Sequence, residues 1–329
     1  MIDYTVISSR VRLARNISEC KYPSRITPEE VDLVYNTARY AAKEVMDSSF
    51  YTMRELSSAE KSYLVERHLI SPMLLDAPYG AVILSKDKQL SVMLLEEDHI
   101  RAQCFRKGLA LDDAFEVVKE FDLALRSKAR LSYDKQWGYL TACPTNIGTG
   151  MRASVMMFLP ALSLCKKLDY LEEELKSANL TIRGALGEGS KGEGFCYQIS
   201  NAVSLGVSEE TILNRVGSAA ERIKRIEKDL LDDYYNRNKI RVEDSVSRSF
   251  AILGSARLLS QQELESLVVN VKIGVNLGLV PLEHVNLDEL TLLCEPASLM
   301  RLTGCGDSPE ERDIARARTV RKTITDKED

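Results

Sequence analysis

At 329 residues, with 44% hydrophobic and 28% charged residues and a formal net charge of -5, the chain has an ordinary globular composition and enough length for two domains. The charge balance offers no basic excess for nucleic-acid phosphates, which excludes a general nucleic-acid binder. The longest apolar stretch, Val155 to Cys165, is interrupted by Pro160 and is shorter than the ~18–20 residues of a membrane span, so it reads as a buried helix.

Met1 to Thr5 carries no basic region followed by an apolar one, so no leader is expected and the cytoplasm is the expected location. Seven dispersed cysteines, with no Cys-x-x-Cys pair and only three histidines, argue against a disulfide framework and against a bound metal.

In chain order, Thr27-Pro28-Glu29-Glu30 predicts a capped helix running to about Met46, and Ser57-Ser58-Ala59-Glu60 predicts a shorter one reaching His68. Gly80 to Ser85 and Leu90 to Leu95 read as a hairpin around Lys86-Asp87-Lys88, followed directly by Glu96-Glu97-Asp98-His99. Asp112 to Arg130 has helical periodicity, Gly138 to Ala142 reads as a short strand, and Arg152 to Lys166 reads as a helix. Strands are expected at Leu180 to Leu186 and Phe195 to Ile199, on either side of a glycine-rich loop.

From Ser208 onward the pattern is helical: Glu209 to Tyr235, Asp244 to Leu259, Gln261 to Leu277, Leu287 to Cys294 and Glu310 to Ile324. This change of class predicts an α+β domain over residues 1–235 and a smaller all-helical domain over 236–329.

The loop Gly187-Glu188-Gly189-Ser190-Lys191-Gly192 matches G-x-G-x-x-G, but a strand follows it where the dinucleotide fingerprint needs a helix. A protein-kinase reading lacks V-A-I-K, H-R-D and D-F-G. More informative are Arg10, Arg12, Arg101, Arg152 and Arg183, whose planar, permanently charged donors suit a triphosphate if the fold brings them together. Taken singly, each arginine is better explained as a surface ion pair.

In order and spacing, Ser8-Ser9-Arg10-Val11-Arg12, Glu96 to Arg101, Cys143-Pro144-Thr145-Asn146-Ile147-Gly148-Thr149 and Arg183 to Glu188 resemble the phosphagen, or guanidino, kinase family. The resemblance implies an antiparallel sheet flanked by helices. It implies ATP and Mg2+ as cofactors, bound through Ser8, Ser9, Arg10, Arg12, His68, Arg101, Arg152, Ala153, Ser154, Val155, Met156, Arg183 and Gly187. It also implies Glu97 and Glu188 as catalytic carboxylates on the acceptor guanidinium, with Cys143 beside it and His99 near the nucleotide. Glu97 alone would read as a solvated acidic residue, Glu188 as a turn residue and Cys143 as a buried thiol.

Gln198 and Leu95 depart from the family, which in some members has an acidic residue at the first position and commonly asparagine at the second. Only seven residues precede Ser8, where small-substrate members carry a helical domain. That arrangement, and Arg312-Asp313-Ile314-Ala315-Arg316-Ala317, resemble the bacterial protein-arginine kinase branch. There Arg312, Asp313 and Arg316 would bind phosphoarginine; by spacing alone Asp313 would simply pair with Arg316 on an ordinary surface helix.

The branch further implies protein substrates, a zinc-binding activator protein, a stress-gene repressor, a Clp unfoldase-protease and a homodimer. A kinase for free arginine or another small guanidine, and a phosphoarginine-reading module without catalysis, remain the alternatives.

Overall fold

The computed structural model describes residues 3–184, 193–282 and 284–325. In chain order the elements are β1 (Val6–Arg15), α1 (Pro28–Val45), β2 (Ser48–Thr52), α2 (Ser58–Glu66), β3 (Ala81–Ser85), β4 (Leu90–Leu94) and β5 (Ile100–Lys107). Next come α3 (Leu111–Lys128), β6 (Tyr133–Asp134), β7 (Gly138–Tyr139), β8 (Met151–Phe158), α4 (Pro160–Leu164), α5 (Leu168–Ser177), β9 (Leu180–Gly184) and β10 (Cys196–Asn201). The remainder is helical: α6 (Glu209–Ser255), α7 (Gln261–Asn276), α8 (Leu287–Leu293), α9 (Pro296–Thr303) and α10 (Pro309–Thr325).

Eight strands form one antiparallel sheet in the order β2-β3-β4-β5-β1-β8-β10-β9. Along β1, Val11 and Leu13 face a core shared with Val34, Ala38 and Ala41 of α1, Val118, Phe121 and Leu125 of α3, and Val216, Ala220 and Ile223 of α6. This two-residue alternation leaves Arg10 and Arg12 on the opposite face. There α2 and the segment after it cover β3 and β4 through Leu64, Leu69, Ile70, Leu74, Val82 and Met93. The arginine strands lie beside that cover.

Both capping boxes form, at Thr27 with Glu30 and at Ser57 with Glu60. The expected helix at 152–166 is corrected: Met151–Phe158 is a central strand, and only Pro160–Leu164 is helical. Period-two alternation decides this, because Met151, Ala153, Val155 and Met157 are buried together while Arg152 and Met156 keep partial exposure on the other face. The apolar run starting at Val155 is thus the end of a strand and a short helix entered at Pro160.

A second correction concerns residues 236–243, which continue α6 as one helix of 47 residues. The Asn-Arg-Asn-Lys-Ile-Arg-Val-Glu sequence contains neither Gly nor Pro, so nothing stops the helix. The irregularity is confined to Asn238, with φ -125 and ψ 22, whose side chain donates to Tyr234 O at 2.9 Å. The unforeseen elements include β2, β5, β6, α5 and α9. Among the described residues no helix is long and apolar enough to cross a membrane.

The later half of α6 packs with α7, α8 and α10 in a second core that includes Leu253, Leu264, Val271, Leu287 and Val320. Tyr4, Phe158 and Ala161 join it from the sheet side. At the other end, the Glu66 carboxylate accepts from Ala297 N and Ser298 N at 2.8 Å each and from Ser298 Oγ at 2.9 Å, capping α9 from outside the helix. Glu66→Ala is expected to lower unfolding free energy by about 1–3 kcal/mol. Hydrogen exchange should accelerate first at the start of α9.

Candidate active site

Strand register brings the widely separated arginines onto one face. Arg12 lies opposite Arg152 on β8 and Gln103 on β5. Arg10 lies opposite Ser154 and Phe105, with its guanidinium 5.4 Å from the Phe105 ring centroid. Arg101 follows on the same face opposite Ala14 and Met93, while Ser8, Met156, Gln198 and Arg183 form the next cross-strand row.

Arg152 Nη2 donates to Ser200 Oγ at 3.0 Å, and Gln198 Nε2 to Ser154 Oγ at 3.2 Å. The departure at position 198 therefore puts an amide beside the arginines. Arg101 pairs with Glu96 at 2.8 Å, and Ser71 donates to the same carboxylate.

Positive charge is crowded on this face, with Glu96 as a partial counter-charge. Burial first, then Arg101 and Arg152, push Arg10 down to about 10. Burial and the same neighbours, with Arg10 added, hold Arg12 well below its ordinary value despite the pull of Glu96. Arg10 remains protonated at neutral pH. Arg10 Nε and Arg101 Nε are buried without a hydrogen-bond partner, so the face can accept further oxygen ligands without breaking bonds at these atoms.

His68, with φ 56, sits at the rim; its carbonyl accepts from Gln103 Nε2 at 3.0 Å. Its imidazole is held below its ordinary value by desolvation and then by Arg10 and Arg67. Part of the residue nevertheless remains open to solvent.

Not every nucleotide candidate lies on this face. Ala153 and Val155 are wholly buried on the opposite side. Ser9 is buried, donating through Oγ to Gly108 O at 2.8 Å and accepting from Ala110 N at 3.0 Å. Gly187 and Glu188 lie outside the described residues. His99 is buried and committed: Nδ1 accepts from Ile17 N at 3.0 Å, and Nε2 lies 2.7 Å from Lys21 O. Its position thus serves the turn rather than the arginine face.

Glu97 is exposed on the turn between β4 and β5. Its carboxyl is raised above the ordinary value by partial desolvation against neighbouring segments, then by Asp98; Arg101 opposes this, and Glu96 adds a smaller upward push. The turn begins at Leu95, whose φ of 57 is a conformation asparagine adopts more readily. Cys143 is half-buried, with Sγ 3.0 Å from Thr145 Oγ1.

On α10, Asp313 pairs with Arg316 at 2.6 Å, the local pairing that spacing alone suggests. Arg316 is only 2% exposed and also donates to Cys294 O at 3.1 Å and Leu259 O at 2.9 Å. Arg312 turns instead to Asp307 at 2.7 Å. The two arginines therefore do not face a shared opening in this conformation.

Sequence reasoning gave Glu96 no individual role and passed over Gln103 and Ser200, because cross-strand register has no local sequence signal.

Residues 31–230 match the family described as ATP:guanido phosphotransferase, C-terminal catalytic domain, and residues 239–329 match the protein-arginine kinase McsB C-terminal domain. The chain is 36% identical to a protein-arginine kinase of Caldanaerobacter subterraneus subsp. tengcongensis, covering 98% of each chain. It is 37% identical to the protein-arginine kinase of Bacillus subtilis, over 97% of this chain and 90% of that one.

In fold it resembles lombricine kinase, with TM-score 0.62 and 24% identity over 70% of this chain and 68% of that one. It also resembles the duplicated taurocyamine kinase of Schistosoma mansoni, with TM-score 0.63 and 22% identity over 80% of this chain and 40% of that one. The chain is a kinase of the ATP:guanido phosphotransferase family and belongs to its protein-arginine kinase branch.

Proposed function

We propose that this enzyme transfers the γ-phosphoryl group of ATP to arginine side chains of proteins. The observation that carries the reading is near full-length similarity to protein-arginine kinases, joined to a sheet face on which separated arginines converge. Arg10, Arg12, Arg101, Arg152 and Arg183 would hold the polyphosphate, with Ser8, Ser154 and Met156 beside them and His68 at the rim. The unpartnered Arg10 and Arg101 nitrogens fit that role. Mg2+ would arrive with the nucleotide and offset phosphate charge.

The acceptor guanidinium is a cation and a weak nucleophile, so one nitrogen must be oriented and its proton accepted as the N–P bond forms and the bond to the leaving oxygen of ADP breaks. Glu97 and Glu188 are assigned this work, with Cys143 alongside. The raised pKa of Glu97 supports it as a proton acceptor. The arginines contribute positioning and charge stabilisation for in-line transfer.

The catalytic unit is assigned to residues 1–235 and the regulatory unit to 236–329. Arg312, Asp313 and Arg316 are assigned to a second phosphoarginine site, which requires Arg312 to leave Asp307 and Arg316 to rearrange. Degradation by a Clp unfoldase-protease, a stress-gene repressor as target, a zinc-binding activator, a homodimer and a cytoplasmic setting complete this reading.

The test is peptide mass spectrometry at neutral pH after incubation with MgATP and an unstructured arginine-rich polypeptide. Arginine-localised phosphate is expected from the wild type and not from Glu97→Gln or Glu188→Ala. Transfer to free arginine alone would instead favour a small-guanidine kinase.

A further inference from the structure

The geometry points to Asn16 and Asp98 as a positioning staple that fixes the spacing between the acidic turn carrying Glu97 and the loop carrying Cys143. Asn16 is 2% exposed and Asp98 is 5% exposed. One oxygen, Asp98 Oδ1, accepts from Asn16 Nδ2 and from Ala142 N, each at 2.7 Å. Asn16 Nδ2 also donates to Leu140 O at 3.1 Å, while Asn16 Oδ1 accepts from His99 N at 2.8 Å. Two side chains thus join three remote segments: the residue after β1, the turn after β4, and the loop after β7.

Their neighbours make the connection consequential. Glu97 immediately precedes Asp98, and Cys143 immediately follows Ala142. Elsewhere the Cys143 loop is held by Tyr139 N donating to Gly148 O at 2.8 Å and by Ser204 Oγ, which lies 2.8 Å from both Thr145 O and Ile147 O. Those bonds shape the loop internally and tie it to the segment after β10; the staple ties it to the acidic turn. Among the described residues the side-chain hydrogen bonds of Asn16 and Asp98 go to each other, Leu140, Ala142 and His99 and to no arginine of the phosphate face, so their effect falls on the acceptor side.

The inference rests on the reading of Glu97 as an acceptor-side carboxylate. A shift of about 1 Å between reacting groups costs roughly 100-fold in rate, so loosening this spacing should impair acceptor turnover while leaving nucleotide binding intact. The Asp98 charge has a second, separable effect. Desolvation raises the Glu97 carboxyl most, Asp98 and then Glu96 add to it and Arg101 opposes it, and Tyr22 and His99 are the other titratable groups close to Asp98. Removing the Asp98 charge should therefore lower the pKa of Glu97. Since Glu97 acts ionised, the acid limb of the rate profile should move to lower pH.

The experiment compares full-length wild type, Asp98→Ala and Asp98→Asn, measuring ATP affinity by calorimetry and turnover of an unstructured arginine-rich polypeptide and of free arginine. Asp98→Ala should keep wild-type ATP affinity and lose about 100-fold in kcat/KM for the acceptor. Asp98→Asn retains an oxygen acceptor, so it should remain active with its acid limb shifted to lower pH.

Parallel loss of ATP affinity and acceptor turnover in Asp98→Ala, or unchanged acceptor turnover, would overturn the staple. If Asp98→Ala does not fold, Asn16→Ala takes its place: it should likewise keep ATP affinity and lose acceptor turnover, and parallel loss of both or unchanged acceptor turnover would again overturn the staple. Absence of transfer by the wild type to both acceptors would instead reject the kinase chemistry assigned to Glu97, and the staple's function with it.

Discussion

Replacing Arg12 with glutamine is expected to lower kcat/KM for ATP by about 100- to 1000-fold while raising the melting temperature of the nucleotide-free protein. The two effects have one origin. Arg12 is desolvated beside Arg10, Arg101 and Arg152, and Glu96 is the counter-charge that acts on it. The folded state therefore disfavours the charged form that a polyphosphate requires.

Arg10 is likewise pushed down, to about 10. The unfolded chain holds this proton more tightly, so the penalty on folding is complete below pH 10 and is relieved only as pH rises above it. A guanidinium keeps its charge at neutral pH, and glutamine at position 12 removes repulsion that Glu96 offsets only in part.

Thermal unfolding at low and high salt, with and without MgATP, checks this account. The variant should be the more stable without nucleotide, and its advantage should shrink as salt screens the arginines. MgATP should stabilise wild type more than the variant. A nucleotide-free variant that melts lower than wild type at low salt would mean that Arg12 is held by favourable contacts.

The helices with strong start signals were legible because their information is local: Thr27 with Glu30 and Ser57 with Glu60 specify caps within a single turn. The hairpin over residues 81–94 was legible for the same reason. The region around Arg152 was not, since an apolar run entering Pro160 has the composition of a buried helix, and only its alternating faces identify the strand.

For the site, residue types and motif order identified the arginines, but not why they meet. Arg12 meets Arg152 because β1 and β8 pair in one register, a contact between residues 140 positions apart in sequence. Glu96 was visible in the acidic run, yet nothing local distinguishes its buried pairing with Arg101 from the exposure of Glu97. The Asn16 and Asp98 staple is equally non-local.

Arg15→Ala is expected to destabilise the protein by about 3–5 kcal/mol, the opposite stability effect from Arg12→Gln on the same strand. They are three positions apart, an odd offset, so strand alternation turns Arg15 away from the phosphate face and into the side covered by α3. Arg15 is 1% exposed; Nε binds Asp122 Oδ1 at 2.7 Å and Nη2 approaches Oδ2 at 3.3 Å. Nη1 donates to Ala14 O at 2.8 Å and Thr149 O at 2.9 Å, and the guanidinium lies 3.6 Å from the Tyr139 ring centroid.

Gly150, with φ 65, permits this approach, because a side chain there would collide with Arg15 Nη1. Removing Arg15 leaves Asp122 buried with Arg126 as its remaining partner and takes away the tie to both ends of the Cys143 loop. Denaturant titration of Arg15→Ala, Asp122→Ala and the double variant checks the pairing. The double variant should lose clearly less than the sum of the singles, because each single already removes the contact that the two side chains share. Additive losses would show that packing on Tyr139, rather than the ion pair, supplies the stability. Along one strand, then, an arginine facing the cleft is kept for phosphate binding at a cost to stability, and one facing the core contributes stability because its charge and donors are already matched.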